Sequence, residues 1–174
     1  MVQIRPFDWR RHGRAVVEFQ REIYETNFPG FVADDQFLRE YGEQLRRSYR
    51  NDATEGLYVL EDGRRTLGFL WLSLIATMVD PCIGYIKNIY VAPDIRGQGY
   101  GKMLLGFAET WCLQRGVGRL SLDASCCNEA AVALYKHWGY HIARVRMEKE
   151  IRPRVGDTTG EWPAELEHSG SLED

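Results

Sequence analysis

The chain lacks both a long hydrophobic segment and an excess of charge of one sign. Of its 174 residues, 44% are hydrophobic and 27% are charged, and the net charge at pH 7 is −3. The longest apolar stretch, 67–79, is interrupted by polar residues and is shorter than the roughly 20 residues of a membrane-spanning helix. The first residues also lack the apolar core of a signal peptide. We therefore expect a cytoplasmic protein with neither a membrane nor a nucleic acid as partner.

The four cysteines form no CxxC pair, which is the usual sign of a redox or metal motif. Cys126 and Cys127 are adjacent and make a poor start for a disulfide framework, so we expect reduced thiols. Either could be combined with His137 and His141 as metal ligands, but the paired ligand spacing of a zinc site is missing. The sequence predicts no metal.

The length favours a single domain with a substantial hydrophobic core, which we place at residues 1–152. Residues 153–174 are rich in Gly, Glu, Asp, Ser and Thr, a composition that cannot bury a core. We expect them to form an acidic, disordered tail.

Hydrophobic periodicity and turn residues predict alternating helices and strands along residues 2–151. The predicted strands are 2–7, 56–60, 66–78, 83–91, 119–124 and a closing strand or hairpin at 140–151, and the predicted helices begin near Trp9, Asp35, Gly101 and Glu129. This order predicts an α/β fold of the mixed α+β type, with a mostly antiparallel twisted sheet covered by helices on both faces. Strands 83–91 and 119–124 are expected to be a parallel pair that splays apart around a ligand.

A glycine-rich turn joins the strand at 83–91 to the next helix. Glycines at 97, 99 and 101 allow positive φ and let backbone N–H groups approach a ligand, just where a helix begins. Because the first N–H groups of a helix lack internal partners and the helix dipole is positive there, such a turn suits a phosphate. A plain glycine-rich connector is the structural alternative.

Two common phosphate-binding motifs do not fit this turn. A P-loop would need Gly in place of Arg96 and Ser or Thr in place of Met103, and a Rossmann fingerprint would need Gly in place of Lys102. The pattern that remains, Arg-x-x-Gly-x-Gly at 96–101, resembles the acyl-CoA-binding motif of the GCN5-related N-acetyltransferases (GNAT). A second segment, Asn128 to Tyr140, resembles the Asn-x-x-Ala-x-x-Leu-Tyr-x-x-x-Gly-Phe segment of the same family, with Tyr140 in place of Phe.

The resemblance implies acetyl-CoA as cosubstrate and names the residues that would hold it. Backbone groups of Ile89 and Val91 would bind the pantetheine arm, and Asn128 would contact it while also capping a helix. The pyrophosphate would lie on the turn, with Arg96 and Lys102 as supporting charges. The implied cofactor-binding set is Ile89, Val91, Arg96, Gly97, Gln98, Gly99, Gly101, Lys102, Asn128 and Tyr135.

Acetyl transfer to an amine needs a group to accept a proton and an acid for the departing thiolate. Tyr135 matches the family tyrosine near the CoA sulfur and is the predicted acid, although its spacing also suits a core tyrosine. Lys87 and Asn88 stand where many members carry a carboxylate. Asp123 matches the acid of the ribosomal-protein N-terminal acetyltransferase branch and is the predicted base, with a structural carboxylate as the alternative.

The sequence leaves several alternatives open. Glu22 and Glu25 are weaker candidates for the base, and a thiol route through Cys126 or Cys127 is conceivable. The acceptor is a primary amine, either a small molecule or a peptide or protein amine, bound beside the aromatic loop 27–31. The alternative function is a non-catalytic acyl-CoA-binding regulatory module of the same fold, and a homodimer is left open.

Overall fold

The computed structural model describes residues 1–50, 53–76, 78–79 and 82–149. Residues Met1–His141 form one compact unit. Its regular elements, in chain order, are β1 (Gln3–Pro6), α1 (Trp9–Asn27), α2 (Asp35–Ser48), β2 (Glu55–Glu61), β3 (Thr66–Ile75), β4 (Ile83–Val91), a 3-10 turn (Pro93–Ile95), α3 (Tyr100–Leu113), β5 (Leu120–Leu122) and α4 (Glu129–His137). None of the helices in the described ranges is long and apolar enough to cross a membrane.

The five strands form one sheet in sequence order, β1-β2-β3-β4-β5. The first four pair antiparallel, and β4 and β5 pair parallel over Gly84–Ile86 and Leu120–Leu122. The parallel pair is joined by a crossover that contains α3, as parallel strands require. The predicted mixed, mostly antiparallel sheet with one parallel pair is confirmed.

Successive side chains of a strand point to opposite faces of the sheet, and the central strands carry apolar side chains on both faces. Helices therefore cover both faces. Phe69 and Trp71 of β3 pack with residues of α1 and α2, whereas Leu70 and Leu72 pack with residues of α3. Tyr135 and Trp138 of α4 also lie against the α3-side core. We call these two sides of the sheet the α1/α2 face and the α3 face.

Side-chain caps fix where three of the helices begin. Asp8, Asp34 and Asn128 each accept a hydrogen bond from the backbone N–H three residues ahead, at 2.9, 2.8 and 3.2 Å. Each such cap stabilises a helix by about 1 kcal/mol. The predicted cap at Asn128 is confirmed.

The predicted closing strand or hairpin at 140–151 is wrong over 140–149, where the structure has neither helix nor strand. The alternating Ile142, Val145 and Met147 are 64–91% exposed. Alternation by itself does not make a strand, because a strand also needs a partner edge and an apolar surface to pack on. The predicted tail at 153–174 lies outside the described residues.

The close packing of α3 on β4 depends on Gly84. A Cβ atom at this position would collide with the Cys112 sulfur of α3. We expect Gly84→Ala to lower the free energy of unfolding by about 1–3 kcal/mol through overpacking. Urea unfolding measures the change, and Gly118→Ala is the matched control because an added Cβ there meets no atom within 4 Å. Equal stability of the two variants would contradict the dependence of this packing on Gly84.

Candidate functional site

The site begins with a bulge in β4. Ile86 pairs with Leu72 and Asn88 with Trp71, so Lys87 is an extra residue without a partner on β3. The parallel pairing with β5 also ends at Ile86. In the described structure no strand therefore covers the edge of β4 from Lys87 to Val91.

Two N–H groups point out of this uncovered edge. The N–H of Ala92 donates to Leu67 O on the β3 side at 2.8 Å. Since successive N–H groups of a strand point in opposite directions, those of Val91 and Ile89 point away from β3, toward the gap beside β5. This edge can hydrogen-bond an extended, amide-containing ligand in the manner of an added strand.

The glycine turn follows directly and delivers the start of α3 to the same end of β4. Gly97 and Gly99 have φ of 76° and 85°, and Gly99 is the residue before the helix. A Cβ at either position would meet nothing within 4 Å, so the turn requires glycine for its φ angles and not for space. Gln98 lies exposed between these two glycines. Gly101 is helical and faces Leu134 of α4.

Arg96 is engaged by protein groups. Its Nη2 donates to Glu22 Oε1 at 2.6 Å, and its Nε donates to the carbonyl of Val91 at 2.9 Å. Glu22 also accepts a 2.5 Å hydrogen bond from the Tyr90 hydroxyl, and the guanidinium lies over the Tyr90 ring. Burial and the neighbouring Glu22 carboxylate raise the pKa of Tyr90. Arg96 thus ties the turn to α1 and β4 through Glu22, a connection that the sequence does not reveal.

Lys102, in the first turn of α3, packs on α4. Its Nζ lies 4.7 Å from the centre of the Trp138 ring, within cation–π range. Its role as a supporting charge for a phosphate stays a prediction.

Asn128 connects α4 to α1. Its Oδ1 caps α4, and its Nδ2 donates to Asn27 Oδ1 at 3.2 Å. Asn27, the last residue of α1, donates in turn to the carbonyl of Ile23 at 2.7 Å. The loop before α4 and the loop after α1 therefore lie side by side, which places the exposed Phe28 and its neighbours next to the start of α4.

Tyr135 projects from α4 toward the α3-face core, half-buried beside Tyr140, with ring centres 5.8 Å apart. Burial raises the pKa of the Tyr135 phenol, so the hydroxyl keeps its proton throughout the neutral range. A protonated phenol is what a general acid requires.

Asp123 follows β5 directly and lies on the α1/α2 face. Tyr85, on the same face of β4, donates its hydroxyl hydrogen to Asp123 Oδ2 at 2.8 Å. Burial, with a further contribution from the Asp123 carboxylate, raises the pKa of Tyr85 to about 12, so its hydroxyl remains a donor. This hydrogen bond orients the carboxylate at the mouth of the gap between β4 and β5.

Lys87 and Asn88, which stand in place of the expected carboxylate, are both paired. The Lys87 ammonium contacts Glu55 Oε1 at 2.8 Å, and Glu55 also accepts from Trp71 Nε1 and Ser73 Oγ. Asn88 donates to the fully buried Gln20 at 2.9 Å. Glu55, which sequence reasoning missed, is an acid near the bulge whose oxygens are already engaged by three donors.

The weaker base candidates also have structural partners. Glu22 is held by Arg96 and Tyr90, and Glu25 accepts from the backbone N–H of Ala33 at 3.2 Å. Cys126 and Cys127 are free, exposed thiols in the loop before α4. Across the described ranges, no three His, Cys, Asp or Glu residues are grouped closely enough to hold a metal ion.

The mixed sheet, its one parallel pair and the glycine turn beside it agree with the fold expected from the two sequence motifs. The model of the acetyltransferase (GNAT) family matches residues 17–140, and the chain belongs to this family. The resemblance carried by the two sequence motifs is thereby confirmed.

Individual relatives agree with this family. The chain is 36% identical over 125 residues to the putative ribosomal protein bS18-alanine N-acetyltransferase of Bacillus subtilis, covering 72% of this chain and 74% of that protein. It is 30% identical over 84 residues to the mycothiol acetyltransferase of Rhodococcus jostii, covering 48% of this chain but only 28% of that protein. Among solved structures, a putative acetyl transferase from Pyrococcus furiosus superposes with a TM-score of 0.69 at 29% identity, covering 87% of this chain and 100% of that one.

Mutation of the Glu22–Arg96 pair tests whether Arg96 holds the glycine turn in place or binds the pyrophosphate directly. If Arg96 acts by holding the turn against α1, Glu22→Gln and Arg96→Ala each weaken acetyl-CoA binding roughly three- to tenfold, and the double variant is no weaker than either single one. Isothermal titration calorimetry with acetyl-CoA measures the three affinities. Tighter binding by Glu22→Gln would show instead that Arg96, once released, serves the pyrophosphate directly.

Proposed function

We propose that this chain is an acetyl-CoA-dependent N-acetyltransferase that moves an acetyl group to a primary amine by direct attack while both substrates are bound. The observation that carries the proposal is the uncovered edge of β4, which runs directly into a glycine turn at a helix N-terminus. The edge of β4 offers N–H groups to an amide-containing arm. The glycine turn that follows β4 offers N–H groups to a phosphate.

The residues present fit acetyl-CoA. The N–H groups of Ile89 and Val91 would hold the pantetheine arm, and the turn from Gly97 to Lys102 would hold the pyrophosphate. The N–H near Ile89 is also the proposed donor to the thioester carbonyl oxygen, where negative charge develops during attack. When bound, acetyl-CoA supplies the activated acetyl group.

Two side chains would handle the protons. Tyr135, kept protonated by burial, is the proposed acid for the departing thiolate. Asp123 is the proposed base, acting directly or through water on the attacking amine, and Tyr85 is a positioning residue that orients its carboxylate. Tyr135 and Asp123 belong to opposite faces of the sheet, so the proton donor and the proton acceptor approach the gap from different sides.

The acceptor is proposed to be the α-amine of a peptide or protein. An α-amine has a pKa of about 7.7–8.0, so roughly a quarter to two fifths of it is neutral near pH 7.5, whereas a lysine amine, with a pKa near 10.4, is almost fully protonated. The β4 position of the usual carboxylate is occupied by Lys87, whose charge is paired with Glu55, so β4 supplies no carboxylate to deprotonate a lysine amine. The likeness to a putative ribosomal-protein alanine N-acetyltransferase supports the same class.

Thiol release from acetyl-CoA tests the activity and the acceptor together. We expect turnover with a lysine-free peptide that has a free N-terminus. The same peptide with a blocked N-terminus and one internal lysine should give at least tenfold less. Preference for the lysine peptide or for small amines would overturn the acceptor class. Acetyl-CoA binding without thiol release on any amine would favour the non-catalytic module.

Removing the Tyr135 hydroxyl tests the acid. We expect Tyr135→Phe to lower kcat about 10²- to 10⁴-fold, the usual range for loss of acid–base catalysis, with little change in acetyl-CoA affinity. Tyr140→Phe is the matched control because its hydroxyl is buried and has no hydrogen-bond partner in the described structure. Because burial raises the pKa of Tyr135 above the ordinary tyrosine value of about 10, ionisation of Tyr135 should not lower kcat of the wild type in the neutral range. Unchanged kcat in Tyr135→Phe would contradict the role.

A double-mutant cycle tests how Tyr85 acts. We expect Asp123→Asn to lower kcat/KM about 10²-fold or more and Tyr85→Phe to lower it roughly tenfold, since a hydrogen bond to a charged group is lost. If Tyr85 works only by orienting Asp123, Tyr85→Phe costs nothing further in the Asp123→Asn background. Additive losses would mean that Tyr85 contacts the substrate independently.

A further inference from the structure

A basic groove lies between the start of α1 and the end of α2. Its deeper part encloses about 200 Å³ and is lined by Asp8, Trp9, Arg10, Arg46, Tyr49 and Arg50. A shallower part of about 370 Å³ shares Arg46 and Arg50 and adds Glu43 and Arg47. Four arginines thus line one continuous depression, on a chain whose net charge is −3.

The two carboxylates of the groove are already engaged. Asp8 caps α1 through the backbone N–H of Arg11, and Glu43 forms an ion pair with Arg47 at 3.4 Å. Arg10, Arg46 and Arg50 are exposed and have no carboxylate partner among the described residues. Arg46 and Arg47 complement the dipole of α2, but Arg10 comes from another helix and Arg50 lies beyond the end of α2. The groove therefore carries more positive charge than helix capping explains.

Aromatic rings lie among these charges. The Arg46 guanidinium carbon is 5.7 Å from the centre of the Trp9 ring, and Tyr49 is 38% exposed. The Trp9 ring packs on Gly13 of the same helix, where an added Cβ would lie 3.2 Å from it, and Tyr49 packs edge-on against Phe7. Both rings are held in place by the fold, so they are preformed surfaces for stacking.

Guanidinium groups beside fixed aromatic rings recognise a phosphate that adjoins a planar heterocycle. The deeper part, at about 200 Å³, is smaller than the usual 300–1,000 Å³ of ligand pockets, so it suits one such unit. We propose that this groove binds a nucleotide unit, either free or as part of a single-stranded RNA. The sequence predicts no nucleic-acid partner because the net charge of the whole chain is −3. That total does not show the local excess of arginine in the groove.

The groove is separate from the acetyl-transfer site. It lies at the first residues of α1, and the last residue of that helix, Asn27, contacts Asn128 at the other site. A helix of 19 residues spans roughly 28 Å. The two sites therefore lie at opposite ends of α1, and we expect loss of binding in the groove to leave the proposed reaction unaffected.

The test uses the full chain saturated with acetyl-CoA, so that nucleotides cannot bind at the cofactor site. Uridine monophosphate is titrated by calorimetry and a fluorescein-labelled single-stranded oligouridylate by fluorescence anisotropy, with inorganic phosphate as a third probe. We expect wild-type binding that the Arg10→Gln/Arg46→Gln/Arg50→Gln variant weakens at least about tenfold. Thiol release should be unchanged in that variant.

The matched control, Arg5→Gln/Arg39→Gln/Arg64→Gln, removes the same charge from exposed positions that do not line the groove. It should bind as the wild type does, and circular dichroism confirms that both variants are folded. Tighter binding of the oligonucleotide, with a slope of log K against log salt near −2, identifies an RNA segment; similar affinity for the mononucleotide identifies a free nucleotide. No binding at millimolar ligand, equal losses in both variants, or binding of inorganic phosphate as tight as that of either nucleotide probe would overturn the proposal.

Discussion

The short parallel pairing between β4 and β5 is the constraint on which the rest of the site depends. It covers only Gly84–Ile86 and is followed at once by the bulge at Lys87. Because β5 stops pairing there, the N–H groups of Ile89 and Val91 face a gap instead of a neighbouring strand. A longer parallel ladder would satisfy those donors internally and leave nothing for a ligand. The gap also separates the strand that leads to the glycine turn from the residues that lead to Asp123 and α4.

Helix α1 makes hydrogen bonds to both sides of this gap and so fixes their relative position. Along its length Gln20 bonds Asn88 of β4, Glu22 bonds Tyr90 and Arg96, and Asn27 bonds Asn128 at the start of α4. Three residues of one helix thus connect it to the central strand, to the cofactor turn and to the helix of Tyr135. Fixing side chains in this way before a substrate arrives lowers the ordering cost of binding. The same helix begins at the basic groove, so a single element spans both proposed sites.

Most helices and strands could be predicted from the sequence, because hydrophobic periodicity and turn residues are properties of short stretches of chain. The strand 83–91 has the predicted bounds, and capping by Asn128 is as expected. The roles of Tyr135 and Asp123 came from the family motifs and stay proposals. The strand predicted at 140–151 failed over its described part because alternation says nothing about a partner edge. Arg96 was predicted to be a supporting charge, but its ion pair with Glu22 was not predicted. The two residues are 74 positions apart in the chain, and only packing brings them together.

The sequence by itself determined the class of protein, because the motif at 96–101 and the segment 128–140 resemble those of the GNAT family and each pattern is local to a few residues. Through that resemblance it predicted acetyl-CoA as the donor. It also named the tyrosine and the aspartate of the proposed proton transfers. Only the tertiary structure decided where the sheet opens, that Tyr85 holds Asp123, that Glu55 neutralises Lys87, and that arginines from two helices share one groove. Such contacts join residues distant in the chain, and their geometry follows from how helices pack across a sheet, which no local pattern records.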